Sequence, residues 1–346
     1  MRPRKCSGNG GRNGVRRHAL NLTKVCKRYD NPMAASSNAT VSTAGVSAAG
    51  LVRNINQDAW SAARLPDGRQ LLAVADGLGG HQAGEVASKR AIELLERTLA
   101  RGWHTTPWQV AKAVQLANQE LQAITPGAIS GTTLTTVVIE KSTAFLAHAG
   151  DSRAYLFRHG RLEQLTQDHS WVAEQERQGT LSANEARQHR WRNIISNALG
   201  VQDEVRLDVR AFPVQLGDRI ILLSDGVFSL LDEPVITGIA GLGSAEAIAQ
   251  RFVEEANRRG SPDNVTAVVG IVSEAAPGRP QYRTDGPATT FTIGAGTNVM
   301  STVEEAFPRN TLYARLRRHP YFLYRWWALG SAVLFIILIL ALARVF

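Results

Sequence analysis

The period of hydrophobic and polar positions changes several times along the chain. Short apolar or β-branched runs, bounded by Gly, Asp or Ser, predict strands over 70–75, 132–140, 143–149, 153–158, 205–212, 218–223 and 264–273. Amphipathic stretches predict helices over 82–101, 107–123 and 244–259. The second opens after Thr106-Pro107, a capping residue followed by proline. The third opens at Ser244, with Ala247 where a capping box would place Glu. Two short helices are expected at 169–178 and 182–190. Strands come in runs and helices in pairs, without strict βαβ alternation. That pattern favours an α+β layered sandwich over a doubly wound parallel sheet.

The flanks differ from this body. Residues 1–40 are rich in Gly, Asn, Ser and Arg, show no periodicity and are expected to be a disordered basic extension. The folded domain is expected over 41–275. Residues 276–311 contain Pro277, Pro280, Pro287, Pro308 and a Thr-rich run, and are expected to be a linker. Residues 312–346 are expected to be a juxtamembrane segment and a transmembrane helix. The stretch 326–343 carries no charge, and at 1.5 Å per residue it spans about 27 Å, close to a bilayer core. Tyr321, Tyr324, Trp326 and Trp327 form an aromatic belt at one end. Arg315, Arg317, Arg318 and Arg325 precede the span and only Arg344 follows it. The positive-inside bias then puts the body in the cytoplasm, single-pass.

The formal charge of +9 sits almost wholly at one end. Residues 1–33 hold nine Lys or Arg against one acid, Asp30. The body is nearly neutral, so nucleic acid is not the expected partner. No apolar stretch follows the basic segment, so a secretory signal is not expected. Met33 stands just before the body as a candidate translation start. Both cysteines, Cys6 and Cys26, also lie in the extension. The body therefore has no thiol, and any metal there must be held by oxygen or imidazole. That chemistry suits hard cations such as Mg²⁺ or Mn²⁺.

Three segments share one design, an apolar strand or turn ending in an Asp beside a small or polar residue. They are Leu72-Ala-Val-Ala-Asp76-Gly77, Ile221-Leu-Leu-Ser-Asp225-Gly226 and Ser261-Pro-Asp263-Asn264-Val265-Thr266. Carboxylates fixed at rigid strand ends can converge on one ion cluster, and glycine lets a backbone carbonyl approach a metal. Arg53 lies five residues before Asp58, in Arg53-Asn54-Ile55-Asn56-Gln57-Asp58. The loop Gly77-Leu78-Gly79-Gly80-His81 opens a helix but matches neither nucleotide-binding glycine fingerprint.

With Gly131-Thr132-Thr133 and Gly150-Asp151-Ser152-Arg153, these motifs make six in order. On them, the chain from about 44 to 273 resembles the metal-dependent protein phosphatase (PPM, or phosphatase 2C) family in its bacterial form. The resemblance implies an α–β–β–α sandwich, two sheets flanked by helix pairs, with two Mn²⁺ or Mg²⁺ ions at one end. It implies that Asp76 bridges the metals, that the Gly77 carbonyl belongs to one, and that Asp225 and Asp263 belong to the other. Asp58 resembles a ligand or water-holder, and Arg53 the residue that binds substrate phosphate. The implied reaction is hydrolysis of phosphoserine or phosphothreonine by a metal-bridging hydroxide. The resemblance and the C-terminal span together imply phosphoprotein substrates and an opposing bacterial Ser/Thr kinase at the membrane. Gln57 stands where the family often has Glu, Pro126 where many relatives place an Asp, and Leu78 where animal relatives have a His. These departures leave a non-catalytic phosphoprotein-binding scaffold as the alternative.

Overall fold

Alternation along the central strand sets the architecture. The computed structural model describes residues 38–79, 82–101, 106–124, 130–274, 288–299 and 303. In β3 (Gln70–Gly79), Leu71, Ala73 and Ala75 face one way while Leu72 and Val74 face the other, and all five are buried. A strand buried on both faces needs a layer on each side. On one side lie α1 (Gln82–Ala100) and α2 (Thr106–Ile124), packing Leu94, Leu95, Leu99, Val110 and Val114 against Leu71 and Ala73. On the other side lies a second sheet.

The first sheet runs β12 (Thr289–Ile293), β9 (Val205–Pro213), β6 (Thr143–Ala149), β5 (Leu134–Glu140), β3, β2 (Asp58–Arg64). The short β4 (Ser130–Thr132) also pairs with β3. The second runs β1 (Thr40–Ala48), β11 (Val265–Glu274), β10 (Arg219–Leu223), β7 (Arg153–Arg158), β8 (Arg161–Gln164). All these pairings are antiparallel. Between the sheets sit Leu72, Val74, Val137 and Leu146 from one face and Leu156, Ile220, Leu222 and Val268 from the other. The outer face of the second sheet is covered by α6 (Glu233–Ala240) and α7 (Ala245–Arg258), through Ile236, Ile248, Phe252 and Val253. The expected four-layer sandwich of two helix-flanked sheets is therefore present.

Most expected elements fall within a few residues of their observed bounds. Ser244 accepts from the Ala247 amide and caps α7, as expected. The expected short helices are α3 (Trp171–Arg177) and α4 (Ala183–Gln188). One expectation is corrected. The segment 276–311 is not linker throughout: β12 pairs with β9, and Ile293, Val299 and Val303 are buried in the core under α2. The Thr-rich run at 289–292 is β-branched, which suits an edge strand. Residues 1–37 of the basic extension and the apolar stretch 326–343 lie outside the described residues, and Thr40 at the end of the extension already belongs to β1. Among the described residues no helix is long and apolar enough to cross a membrane.

Leu72 is fully buried between the sheets on the strand that carries Asp76. Leu72→Ala should cost about 2–5 kcal/mol of unfolding free energy. Urea denaturation measures it, and a loss under about 1 kcal/mol would contradict the packing described.

Candidate metal centre

Asp76 occupies the last inward-facing position of β3, two residues beyond Val74. Its backbone is clamped from three directions. The Asp76 amide donates to Thr133 Oγ1 (2.9 Å), and its carbonyl accepts from the Thr133 amide (2.9 Å) and Thr132 Oγ1 (2.9 Å). Thr132 and Thr133 thus hold the Asp76 backbone in place. Asp58 opens β2 directly opposite Asp76. Its Oδ2 accepts from Thr266 Oγ1 (2.6 Å) and Ser224 Oγ (2.9 Å), while its buried Oδ1 has no partner. Asp225 starts α5 (Asp225–Phe228) right after β10. Asp263 precedes β11, and its Oδ2 takes a hydrogen bond from Arg53 Nη2 at 2.9 Å.

Glycine permits two close approaches here. A Cβ on Gly77 would lie 2.1 Å from the Gly84 carbonyl oxygen, and one on Gly226 would lie 2.0 Å from that of Asn264. Any other residue would push the Asp-Gly turns apart. Asn264 ties the site to the loop bearing Arg53: its side-chain amide donates to the carbonyls of Ile55 (2.9 Å) and Ala49 (3.2 Å). Its Oδ1 accepts from the Gln57 amide (2.9 Å).

The structure therefore brings together Asp58, Asp76, Asp225, Asp263, Gly77 and Arg53. It adds Asp151, which the sequence motifs above place in Gly150-Asp151-Ser152-Arg153 without a metal role. Asp151 is buried, its Oδ1 has no partner, and its charge bears on Asp76. The signal for it is Gly150-Asp151-Ser152 itself, an Asp just after a strand, as Asp225 follows β10. Arg153 does not neutralise it by hydrogen bonding. That guanidinium makes a bidentate pair with Asp168 (2.7 and 2.9 Å) and stacks 4.0 Å over Phe228. The Gln57 carboxamide turns toward the α1 side, donating to the Gly79 carbonyl at 3.3 Å. Pro126 and His81 lie outside the described residues.

The carboxylates repel one another. Loss of hydration pushes Asp58 up to about 7, against hydrogen bonds from Thr266 and Ser224, with the Asp225 and Asp263 charges adding to the rise. Burial and the charge of Asp263 push Asp225 up to about 6, offset by hydrogen bonds from Asp76 and the Gly226 amide and by the Arg53 charge. Asp76 is raised well above the usual range by burial and then by Asp58, Asp225, Asp151 and Asp263. Asp151 is raised likewise, by burial and then by Asp225 and Asp168. Among the described residues no three His, Cys, Asp or Glu side chains form a ready-made cage. The donor set nonetheless fits hard divalent cations. It is all oxygen, anionic, short of counter-charge, and two of its buried carboxylate oxygens are unpartnered.

Without cations this cluster destabilises the fold. The folded state keeps protons that unfolded carboxyls near 3.8 have released. Stability in EDTA should therefore fall as pH rises from about 4 towards about 7. Asp76→Asn should raise the melting temperature in EDTA at neutral pH and flatten this slope. Thermal melts at pH 5.5 and 7.5 measure both, and an unchanged or lowered melting temperature would contradict the repulsion.

The chain is similar to known proteins over this region. The family model described as protein phosphatase 2C matches residues 52–266. The serine/threonine phosphatase stp of Listeria monocytogenes is 34% identical over 233 residues, covering 64% of this chain and 91% of that protein. The crystal structure of the Mycobacterium tuberculosis serine/threonine phosphatase PstP superposes with a TM-score of 0.63 at 34% identity, over 68% of this chain and 99% of that one. A PstP catalytic domain in complex with two manganese ions superposes with a TM-score of 0.61 at 33% identity, over 68% of this chain and 99% of that one. The matched residues span well over half of the chain and include all five carboxylates of the centre, Asp58, Asp76, Asp151, Asp225 and Asp263; on that match, the chain belongs to the protein phosphatase 2C family.

Proposed function

We propose that the protein is a metal-dependent serine/threonine protein phosphatase, held at the cytoplasmic face of a membrane by residues 326–343. The observation that carries the catalytic part is the cluster of five carboxylates, Asp58, Asp76, Asp151, Asp225 and Asp263, at one end of the sandwich. A scaffold that only bound phosphoproteins would have no use for charges that weaken its fold. The site fits two Mn²⁺ or Mg²⁺ ions, with Asp76, the Gly77 carbonyl, Asp225 and Asp263 as holders. Two such ions, when bound, acidify a shared water and offset charge on the phosphoryl oxygens.

The chain's own residues supply the remainder. Arg53 is half exposed at the rim and offers a guanidinium fork to two phosphate oxygens. Asp263 steers that fork through the 2.9 Å hydrogen bond. Asp58, with Oδ2 committed to two hydroxyls, presents Oδ1 to orient a water. Leu78 has no proton to give, so the proton on the departing serine or threonine oxygen comes from water or another residue.

The membrane part rests on the uncharged 326–343 stretch, its aromatic belt and the arginines before it. Confinement to a surface raises the effective concentration towards membrane-bound phosphoproteins. The cognate partner on this reading is a membrane Ser/Thr kinase whose products this enzyme removes.

With a phosphothreonine peptide and Mn²⁺, Asp225→Asn should lower kcat/KM more than roughly 100-fold. Arg53→Ala should lower it roughly 10- to 100-fold, mostly through KM. Turnover indifferent to both changes, or to EDTA, would sink the catalytic reading. Carbonate extraction tests the anchor: the protein should stay in the membrane pellet, and release into the supernatant would refute it.

A further inference from the structure

β12 does more than lengthen a sheet. Its register sets Thr290 directly opposite Asp208 on β9, and Asp208 directly opposite His148 on β6. Thr290 Oγ1 donates to Asp208 Oδ1 at 2.6 Å. The other oxygen, Asp208 Oδ2, lies 2.9 Å from His169 Nε2. The remaining nitrogen, His169 Nδ1, faces two donors: the Gly150 amide at 3.2 Å and Asn197 Nδ2 at 2.8 Å. Asn197 is itself oriented, because its Oδ1 accepts from the Arg206 amide and its Nδ2 also donates to the Arg206 carbonyl. Two donors on Nδ1 leave it the lone pair, so the ring proton sits on Nε2 and points at Asp208.

His169 also grips the turn from its backbone. Its amide donates to the Gly150 carbonyl at 2.7 Å. Gly150 adopts φ +116, and a Cβ there would lie 2.5 Å from Thr133 Cβ. The next residue is Asp151, buried in the metal centre. The phosphate-ester chemistry described above makes no use of Thr290, Asp208 or His169.

We propose that Thr290, Asp208 and His169 form a positioning relay for the metal centre. Thr290 fixes the Asp208 carboxylate, Asp208 fixes the tautomer and angle of the His169 ring, and His169 holds the Gly150–Asp151 turn. A strand from beyond the matched family region thereby sets the position of one centre carboxylate. Thr290, Asp208 and His169 are positioning residues, since none of them reaches the reacting atoms. Burial alone would raise Asp208, yet hydrogen bonds from His169 and Thr290 hold its carboxyl below the usual range, consistent with a committed acceptor. The relay rests on the two-metal reading above and deepens it.

Isothermal titration calorimetry of Mn²⁺ into the full-length chain tests it. Thr290→Val keeps the shape and removes the hydroxyl. It should weaken Mn²⁺ binding roughly 3- to 10-fold, less than the ~10- to 100-fold of a group bonded directly to a ligand. Thr290→Ser should restore wild-type affinity, and Thr292→Val, on the same face of the same strand, should leave it unchanged. In an Asp208→Asn background, Thr290→Val should have no further effect. The hydrogen-bonded His169 Nε2 proton should give a downfield NMR resonance that broadens or shifts in Thr290→Val. Mn²⁺ affinity within twofold of wild type in Thr290→Val, an equal loss in Thr292→Val, or additive losses with Asp208→Asn would each overturn the relay. A wild-type chain that binds Mn²⁺ while Thr290→Val matches it sinks the relay alone. A wild-type chain that binds no Mn²⁺ sinks the metal reading and the relay with it.

Discussion

The structure is organised around a repulsion. Five carboxylates stand together at the starts of β2 and β11, the ends of β3 and β10 and the β6–β7 turn, with Arg53 the cation paired to one of them. Nothing in the folding of a two-sheet sandwich asks for this. Bringing acids out of water and close together costs free energy, and that cost shows as protons held above the usual carboxylate range. The rest of the molecule is built to withstand it. Apolar layers on both faces of β3 make the strand too rigid to bend Asp76 away. Thr132 and Thr133 hold its backbone, and Ser224 and Thr266 hold the carboxylate of Asp58. Divalent cations convert the same repulsion into binding energy, which is why the strain and the activity share an address.

Much of this was legible in the sequence, for reasons that differ by element. Strands such as 143–149 and 218–223 are short apolar runs with polar bounds, and their burial follows from composition alone. The strands β1 and β2 were not foreseen. β1 reads Thr-Val-Ser-Thr-Ala-Gly-Val-Ser-Ala, and β2 is similarly rich in Ala and Ser. Small and polar residues carry little strand signal, and here they are used for close approach: a Cβ on Gly45 would lie 2.3 Å from the Trp60 ring. β12 was hidden by the prolines and glycines around it, because its stability comes from pairing with β9 and from Ile293 and Val299 under α2.

The site was legible where an Asp adjoins the end of a strong strand. Asp76, Asp225 and Asp263 stood out from position, and Asp58 and Arg53 from resemblance to the family. Asp151 did not, because Gly-Asp-Ser is also ordinary turn chemistry, and only its buried, unpartnered oxygen separates the two uses. The supporting hydroxyls and the His169 relay could not be read from spacing. They depend on which strands become neighbours, and cross-strand register is a property of the whole sheet.

The claim that ties these observations together is that the centre exchanges protons for divalent cations. Calorimetric titration of Mn²⁺ near pH 6.5, repeated in buffers of different ionisation enthalpy, counts both. Two ions should bind, with net proton release, because carboxyls that the metal-free fold keeps protonated must ionise to ligate. Fewer than two bound ions, or binding without proton release, would contradict the account.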